Sequence, residues 1–458
     1  MIENDAFKLL LINLFHLNPD DIANIFCTTF NKMMVLLVTL ADKHQACPYC
    51  GFTAPKIKEY VTKEITHSAL TTQKCIIKYR ARRYKCPCCG KTYYEFNPFV
   101  FKSQKISILT VHNILKDLKD FNETFTSVAR RYHVSPTSVS TIFDNHVDIG
   151  RNPLPEIINF DEVYAFKSEK SKYVCVLLDF KKQIPVDALP NRKKEYLLNY
   201  FQKIPLEERK KVKYACSDMY EVYRDVVHKV FPEAKHLLDY FHLSQDFHKK
   251  MNEVRIKVMK GYKDDKASDE YYLLKKFNWL LFKNPEDEDK YGRLFDVGRE
   301  RKYNSHFKSY MNYYDLRRKL LEINNDLTIC YSLKLELVDF YSKSIIDNAQ
   351  VNLEHLIRSF IDTNIEEMIK FSNNLINWKQ EIINSFTIVG TEYKVEADKG
   401  QVVVCNKKVN NAIIENRNKI IKCIKNNANG YTNWSRFRNR VMYVLDPNTT
   451  FSLEPREK

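Results

Sequence analysis

Two pairs of cysteines near the N-terminus set the strongest constraint on how this chain folds. Cys47 and Cys50 enclose Pro-Tyr, and Cys86 and Cys89 enclose Pro-Cys after an intervening stretch of strand-like sequence. This layout is typical of four-thiolate zinc sites, in which each pair turns its backbone amides toward the metal and a following glycine supplies the turn. The sequence therefore predicts one structural Zn²⁺ held by Cys47, Cys50, Cys86 and Cys89.

The other cysteines do not fit this pattern. Cys88 is passed over because Cys89 completes the spacing with Cys86, and Cys75 stands apart from both pairs. His44 and His67 are possible substitutes for a thiolate. The start of the chain has neither a basic leader nor a small-residue cleavage site, which predicts a cytoplasmic, nucleoid-associated protein without disulfides. No run of about 18 uncharged apolar residues suggests a membrane span.

The charge balance favours a polyanionic partner. Lys and Arg number 73 against 57 Asp and Glu, a formal net charge of +16. Such an excess is typical of proteins that bind nucleic acid, although a basic surface without a partner is the alternative. Charge alone therefore proposes a class of function and does not decide it.

A helix-turn-helix pattern follows the cysteine segment. In FNETFTSVARRYHVSPTSVSTIFDNHV, apolar residues at helical spacing precede a break at residues 133–136, and a second helix begins with Ser135 as its cap and Pro136 at its first position. A plain helical hairpin is the alternative. We expect the second helix to enter the major groove of DNA and the preceding arginines to reach phosphates, with these candidate contacts: Arg130, Arg131, Thr137, Ser138 and Ser140.

From residue 157 the pattern becomes rich in strands. Three apolar strands in succession (IINFDEVYAF, KYVCVLLDF, QIPVDALP) precede alternating helices and strands, which is the order of the ribonuclease-H-like fold. Asp161 and Asp218 each follow an apolar run, so their carboxylates are expected to lie inside the sheet and to need a cation. Glu162 points to the opposite face by strand alternation and is expected to be structural.

Residues from about 245 to 386 read as amphipathic helices, and a hairpin-like stretch and a basic helix follow. This late helix carries Glu415, the candidate third acid. Its cations are candidate phosphate contacts, with a solvated basic face as the alternative: Lys419, Lys422, Arg436 and Arg438.

Three carboxylates of this kind suit the cleavage of phosphodiesters by two divalent metals, which activate the attacking oxygen and stabilise the leaving one. Magnesium prefers oxygen ligands and keeps much of its water, so a few carboxylates and a substrate phosphate hold it. We expect Asp161 to bridge two Mg²⁺ or Mn²⁺ ions, Asp218 to hold one and Glu415 the other. Asp239 in LLDYFHL is a possible further ligand.

Over nearly its full length the chain resembles the ISL-three family of bacterial insertion-sequence transposases. The matching pieces are CPYC with CPCCG, the helix-turn-helix, INFDEVY, SDMYEVY, FPEAKHLLDYFHL and NNAIIENRNKIIKCIKNNANGYTNWSRFRNR. The resemblance implies a DDE triad at Asp161, Asp218 and Glu415, and a helical insertion between the second Asp and the Glu. It also implies that the zinc module and the helix-turn-helix recognise terminal inverted repeats.

The sequence thus predicts a multidomain α+β protein: a zinc-binding module and a helix-turn-helix, then a ribonuclease-H-like mixed α/β catalytic domain interrupted by a large all-helical insertion. The predicted domains are 1–40 (helical), 41–100 (zinc), 101–150 (helix-turn-helix), 151–244 (catalytic core), 245–409 (insertion with a terminal hairpin) and 410–458 (the end of the core). The expected partner is double-stranded DNA, both as the terminal inverted repeats and as the target. We also expect the protein to form a homodimer or higher oligomer and to bind neither a membrane nor a small-molecule substrate. A non-catalytic DNA-binding regulator and a two-metal nuclease that does not join DNA are the alternatives.

Overall fold

The computed structural model describes residues 2–43, 46–68, 70–101, 104–167, 171–395 and 402–456. His44 lies outside these ranges. Within them, no helix combines the length and the apolar character needed to cross a lipid bilayer.

The N-terminal part is a helix followed by a five-stranded sheet. Its elements are α1 (Ile2–Leu14), a 3-10 turn (Pro19–Asp21), β1 (Ile22–Phe30), β2 (Met33–Leu40), β3 (Lys56–Thr66), β4 (Cys75–Lys85) and β5 (Thr92–Tyr94). The strand order is β1-β2-β4-β3, with β5 on β4. β2 and β4 are parallel, and the other pairs are antiparallel.

This sheet corrects two sequence predictions. Residues 22–40 form strands and are not helical, because β-branched and aromatic residues flank a two-residue turn in which Asn31 and Lys32 both have positive φ, as a tight hairpin requires. The boundary predicted at residue 40 is also wrong, since β2 pairs with β4 and so joins the first 40 residues to the cysteine segment.

Three helices follow: α2 (Ile108–Asp117), α3 (Phe125–Arg131) and α4 (Pro136–His146). The predicted cap of α4 is confirmed, because Oγ of Ser135 accepts from the backbone N–H of Ser138 at 3.0 Å. His133 takes positive φ in the turn between α3 and α4. Ala129 and Val139 are buried where these two helices pack, as the sequence pattern predicted.

The central element is a mixed sheet with helices on both faces. Its elements are β6 (Ile157–Val163), β7 (Val174–Asp179), β8 (Pro185–Leu189), α5 (Lys194–Gln202), α6 (Leu206–Arg209), β9 (Tyr214–Ser217), α7 (Glu221–Val230) and β10 (Lys235–Leu238). The order is β10-β9-β6-β7-β8. β6, β7 and β8 are antiparallel neighbours, whereas β9 and β10 run parallel to β6.

A long, mostly helical segment follows β10 and buries one continuous core. Its elements are α8 (Tyr240–Lys260), α9 (Asp269–Lys276), a 3-10 helix (Asn278–Phe282), β11 (Glu288–Asp289), β12 (Gly292–Arg293), β13 (Lys302–Asn304), β14 (Ser309–Met311), α10 (Tyr313–Glu322), α11 (Asn325–Lys343), α12 (Ala349–Ile361), α13 (Glu366–Asn377) and α14 (Lys379–Asn384). The prediction of an all-helical segment is wrong for residues 288–311, where β11 pairs with β12 and β13 with β14 in two short hairpins.

The chain then returns to the central sheet. The predicted hairpin is confirmed as β15 (Ile388–Val395) with β16 (Val402–Lys408), and α15 (Ala412–Asn427) and α16 (Trp434–Leu445) follow. Apolar residues of α15 and α16 pack on the sheet face opposite α5 and α7. α16 also contacts the three-helix unit, because the hydroxyl of Tyr443 donates to the carbonyl of Leu115 at 3.0 Å.

Candidate active site

Three aspartates lie side by side across neighbouring strands of the central sheet: Asp161 in β6, Asp218 just after β9 and Asp239 just after β10. Leu238 of β10 is paired with Ser217 of β9, and Asn159 of β6 with Cys216 of β9. Extending this parallel register by one residue past β9 sets Asp239 beside Asp218, and Asp161 on the other side of Asp218. Neighbouring strands are about 4.8 Å apart, so the fold itself crowds three carboxylates together.

Asp161 is the most strongly perturbed of these acids. Its side chain faces α15, where Oδ2 accepts from Nδ2 of Asn418 at 2.6 Å, and its Oδ1 accepts from the backbone N–H of Glu162 at 2.7 Å. Burial raises the pKa of Asp161 to about 7, and the charge of Asp218 adds to the rise. A carboxylate with this pKa gains from a nearby cation.

Asp239 is buried and occupies the position immediately before the first residue of α8. Its Oδ1 accepts from the backbone N–H of Asn411 at 3.0 Å, and Nδ2 of the same asparagine donates to Oδ1 of Asp218 at 3.1 Å. Burial raises the pKa of Asp239, while the hydrogen bond from Asn411 opposes the rise. One fully buried residue at the start of α15 therefore fixes two of the three aspartates.

Glu415 reaches the site from the first turn of α15. Asn411, Glu415 and Asn418 are spaced by four and three residues, so a helix presents them on one face. Burial raises the pKa of Glu415, and the charge of Asp239 is the next cause. α15 thus delivers one acid and two amides to the row of aspartates.

His242, in the first turn of α8, lies among these acids. Its Nε2 is 2.8 Å from Oδ1 of Asp218, 3.8 Å from Oε1 of Glu415 and 3.9 Å from Oδ2 of Asp239. Burial would lower the pKa of His242, but the surrounding carboxylates, Asp218 first, raise it above its usual range. When protonated, the imidazole of His242 offsets part of the negative charge of these acids.

The arrangement fits a hard divalent cation. Donor atoms of Asp239, His242 and Glu415 lie within 4.8 Å of one another, and Asp161 and Asp218 border this group. Four carboxylates surround one imidazole, and the pKa values of three of them are raised, first by burial and then by the negative charge of their neighbours. Carboxylate oxygens are the donors that Mg²⁺ and Mn²⁺ prefer.

The structure therefore brings together Asp161, Asp218 and Glu415, the three acids singled out in the sequence, and adds Asp239. Sequence reasoning missed three polar neighbours: Asn411, Asn418 and His242. The spacing of the two asparagines around Glu415 and the Asp-x-x-His spacing at residues 239–242 were signals that could have found them. Glu162 pairs with Arg192 and accepts from the hydroxyl of Tyr223, and it lines the same open cleft as Asp218 and His242.

A second cluster lies in the N-terminal module, where the sulfurs of Cys47, Cys50, Cys86 and Cys89 lie within 4.8 Å of one another. Two of the sulfur pairs are 3.7 and 3.5 Å apart, close to the roughly 3.8 Å that tetrahedral zinc–sulfur bonds of about 2.3 Å would give. The glycine after each knuckle has φ near +70°, a conformation that other residues adopt only with strain. The cluster could hold one zinc.

The two cysteines passed over by the sequence analysis, Cys75 and Cys88, lie outside this cluster. The ring of His67 is also committed elsewhere: Nδ1 lies 3.0 Å from Oγ of Ser107, and Nε2 lies 2.8 Å from the carbonyl oxygen of Phe15.

The candidate DNA contacts of the three-helix unit differ in availability. Arg130 and Thr137 are exposed. Arg131 pairs with Asp117 and Glu123, which draws its guanidinium toward the protein. Ser138 and Ser140, the remaining two candidates, form local contacts. The hydroxyl of Ser140 donates to the carbonyl of Thr137, and the hydroxyls of Ser135 and Ser138 are 2.8 Å apart.

The late cations also divide into two groups. Lys419 and Lys422 are exposed on α15. Arg436 forms an ion pair with Asp144 of α4 at 2.6 Å, and Arg438 forms one with Asp187 of β8 at 2.7 Å. These ion pairs join α16 to its neighbours, and a phosphate contact by either arginine stays a prediction.

Comparisons with known proteins agree with this picture. Residues 158–402 match a family model described as transposase, of the DDE and ISL-three type. The chain is also similar to the transposase for insertion sequence element IS1001 of Bordetella parapertussis, with 19% identity over 409 residues that cover 89% of this chain and 90% of that protein. The matched family segment contains Asp161, Asp218, Asp239 and His242 and ends before Glu415.

Proposed function

Because this chain belongs to the ISL-three family of DDE transposases, we propose that it cuts the ends of an insertion sequence and joins them to target DNA. A transposase is a DNA-processing enzyme, and the proposal specifies the chemistry as metal-dependent cleavage and transfer of phosphodiesters. The observation that carries it is the convergence of Asp161, Asp218 and Glu415 from two strands and a helix that lie far apart in the sequence.

The proposal includes a ribonuclease-H-like fold for the central sheet. Its support is the strand order, in which three antiparallel strands are followed by two strands parallel to the first and placed on its far side. Residues 151–244 and 410–458 would form this catalytic core, with 245–409 as the insertion, 101–150 as the helix-turn-helix and the first 100 residues as one zinc module.

The residues that would hold the metals are Asp161, Asp218 and Glu415, with Asp239 and His242 as further donors. When bound, two divalent ions activate the attacking water or DNA 3′-hydroxyl and stabilise the leaving oxygen. The protein supplies orientation: Asn418 holds one oxygen of Asp161, and Asn411 holds Asp218. Since these amides leave other carboxylate lone pairs open, the acids remain available as ligands.

Binding of the element ends is assigned to the N-terminal half of the chain. Thr137 on α4 and Arg130 on α3 are exposed where a groove-reading helix and a phosphate contact would lie. The zinc module would hold its sheet in place for the same DNA. A homodimer or higher oligomer follows from the need to bring two ends together.

Glu415→Gln tests the proposal most directly. It keeps the size of the side chain but removes the charge, so both cleavage of labelled inverted-repeat DNA in magnesium and joining to target DNA should fall by 100-fold or more, on the scale of electrostatic catalysis. A gel shift of the same DNA should be unchanged. Joined products also separate a transposase from a nuclease that only cuts.

Asp225→Asn is the matched control, because Asp225 pairs with Lys194 away from the acid row. It should cut and join at the wild-type rate. A Glu415→Gln protein that cuts normally would disprove the triad, and Asp239 would then become the leading third acid.

A further inference from the structure

The helical segment is interrupted once, between residues 283 and 312, by the hairpins β11–β12 and β13–β14. Together with α9 and α10, these hairpins enclose a cleft of about 650 Å³, within the usual range for a site that holds a small planar ligand. The cleft is built from a part of the chain that the proposed chemistry does not use.

Aromatic rings line much of this cleft: Tyr272, Phe277, Tyr291, Tyr303 and Tyr313. Tyr291 and Tyr303 are 67% and 57% exposed, so these two rings face solvent and do not serve the core. Tyr272 is held from the side by His306, whose ring stacks on it at 3.9 Å between centroids and 6° between planes. The cleft therefore offers the exposed rings of Tyr291 and Tyr303, with Nζ of Lys290 4.7 Å from the ring centre of Tyr291.

Charged groups accompany the rings. The lining holds four cations, Lys276, Arg293, Arg299 and Lys302, and three carboxylates, Asp289, Asp296 and Glu300. Arg299 and Asp289 neutralise each other in an ion pair, and Oδ1 of Asp296 is occupied by the backbone N–H of Gly298. Lys302 and Arg293 are exposed on the hairpins next to Tyr303 and Tyr291, and Nε of Arg293 lies 4.0 Å from Oε1 of the exposed Glu288.

We propose that this cleft binds unstacked bases of single-stranded DNA, with Tyr291 and Tyr303 as stacking platforms and Lys302 and Arg293 as phosphate contacts. The inference rests on the proposed function for its DNA partner. Aromatic faces next to cations are the means by which proteins bind single strands regardless of sequence, because every base has a π-face and every nucleotide a phosphate. Duplex DNA, whose bases are stacked inside, cannot offer those faces.

The test uses full-length, zinc-loaded protein without magnesium and a fluorescein-labelled dT20 oligonucleotide, whose binding is followed by fluorescence anisotropy. The double variant Tyr291→Ala/Tyr303→Ala should bind about tenfold or more weakly than wild type, since each base–aromatic stack contributes on that scale. Tyr291→Phe/Tyr303→Phe keeps the rings and should bind within twofold of wild type. Tyr393→Ala is the control, because Tyr393 is 73% exposed on β15, outside the cleft.

The charge component has its own readout. Lys302→Ala should flatten the dependence of log affinity on log salt concentration by about 0.7, the value for one phosphate contact to a single strand. Affinity for dT20 within twofold of wild type in the double alanine variant, or a phenylalanine variant as weak as the alanine one, would overturn the proposal. These assays contain no magnesium and no inverted repeat, so their failure leaves the proposed cleavage reaction untouched.

Discussion

Replacing Asp161 by asparagine should stabilise the metal-free protein while abolishing DNA cleavage. Asparagine has nearly the same shape as aspartate and lacks the charge. The contacts to Glu162 and Asn418 can both be kept if Asn418 turns its amide over, because its Oδ1 has no hydrogen-bond partner within the described residues. The substitution therefore removes a buried charge and leaves the packing in place.

The magnitude follows from the pKa of Asp161, which burial raises from 3.8 to about 7. A carboxyl with a raised pKa in the folded state binds its proton more tightly there, so it favours folding below pH 4 and this contribution is lost as the pH rises through 7. At about 1.36 kcal/mol per pKa unit, keeping Asp161 ionised in the folded state costs about 4 kcal/mol at pH 8, and taking up its proton on folding costs about 1.5 kcal/mol at pH 5. Asp161→Asn should recover most of each amount.

Urea unfolding of zinc-loaded protein in magnesium-free buffer at pH 5 and pH 8 measures this effect. The free energy of unfolding of the variant should exceed that of wild type at both values, with the larger difference at pH 8. Magnesium should narrow the difference, since it stabilises wild type by about 2.7 kcal/mol at 100 times its dissociation constant. Asp225→Asn should have the opposite sign, because the Lys194 ion pair lowers the pKa of Asp225.

A variant that is less stable than wild type at pH 8, or a difference that is equal at the two pH values, would refute the account of Asp161 as an uncompensated buried charge.

Three further predictions concern other parts of the chain. Metal analysis should show that Cys86→Ser has lost the bound zinc, together with much of the stability of the N-terminal module, and that Cys88→Ser keeps one zinc. Retention of zinc in both variants would exclude the four-cysteine site. Asn411→Ala should lower the cleavage rate at least tenfold with DNA affinity unchanged, because Asp218 and Asp239 lose the hydrogen-bond donor that they share. Cleavage at the wild-type rate would show that this donor is dispensable. Arg436→Ala should lower the free energy of unfolding by about 1 to 3 kcal/mol, as loss of a charged hydrogen bond does, with an unchanged salt slope of DNA binding; a flatter slope would restore its role as a phosphate contact.

The parts of the fold that sequence predicted best are those with strong local signals. The four-cysteine spacing, the Ser135-Pro136 helix start and the apolar runs that lead into Asp161 within β6 and Asp218 just past β9 each depend on nearby residues. The helix predicted at the start of the chain is present as α1, but residues 22–40 were predicted wrongly, because a run of apolar residues fits a buried helix as well as a strand and only the Asn31-Lys32 turn distinguishes them.

The rest of the site depends on contacts between residues distant in sequence. The spacing of Asn411 from Glu415 puts both on one face of a helix, but it does not indicate that Asn411 will bond two aspartates about 170 and 190 residues earlier in the chain, because that contact exists only once α15 packs on the sheet. The ion pairs of Arg436 and Arg438 cannot be predicted from the sequence for the same reason, since their carboxylate partners are distant in sequence. A run of basic residues on a helix looks alike whether it faces DNA or neighbouring carboxylates.

The position of α16 has a mechanical consequence. Arg436 ties this helix to α4 and Arg438 ties it to β8, and the Tyr443 hydroxyl bonds to α2. Helix α4, which is expected to read DNA, and the sheet that is expected to cut it are therefore both bonded to α16. If both assignments hold, the distance between these two elements sets the number of base pairs between the recognised sequence and the broken bond. Inserting base pairs between them should therefore leave the cut at the same distance from the recognised sequence.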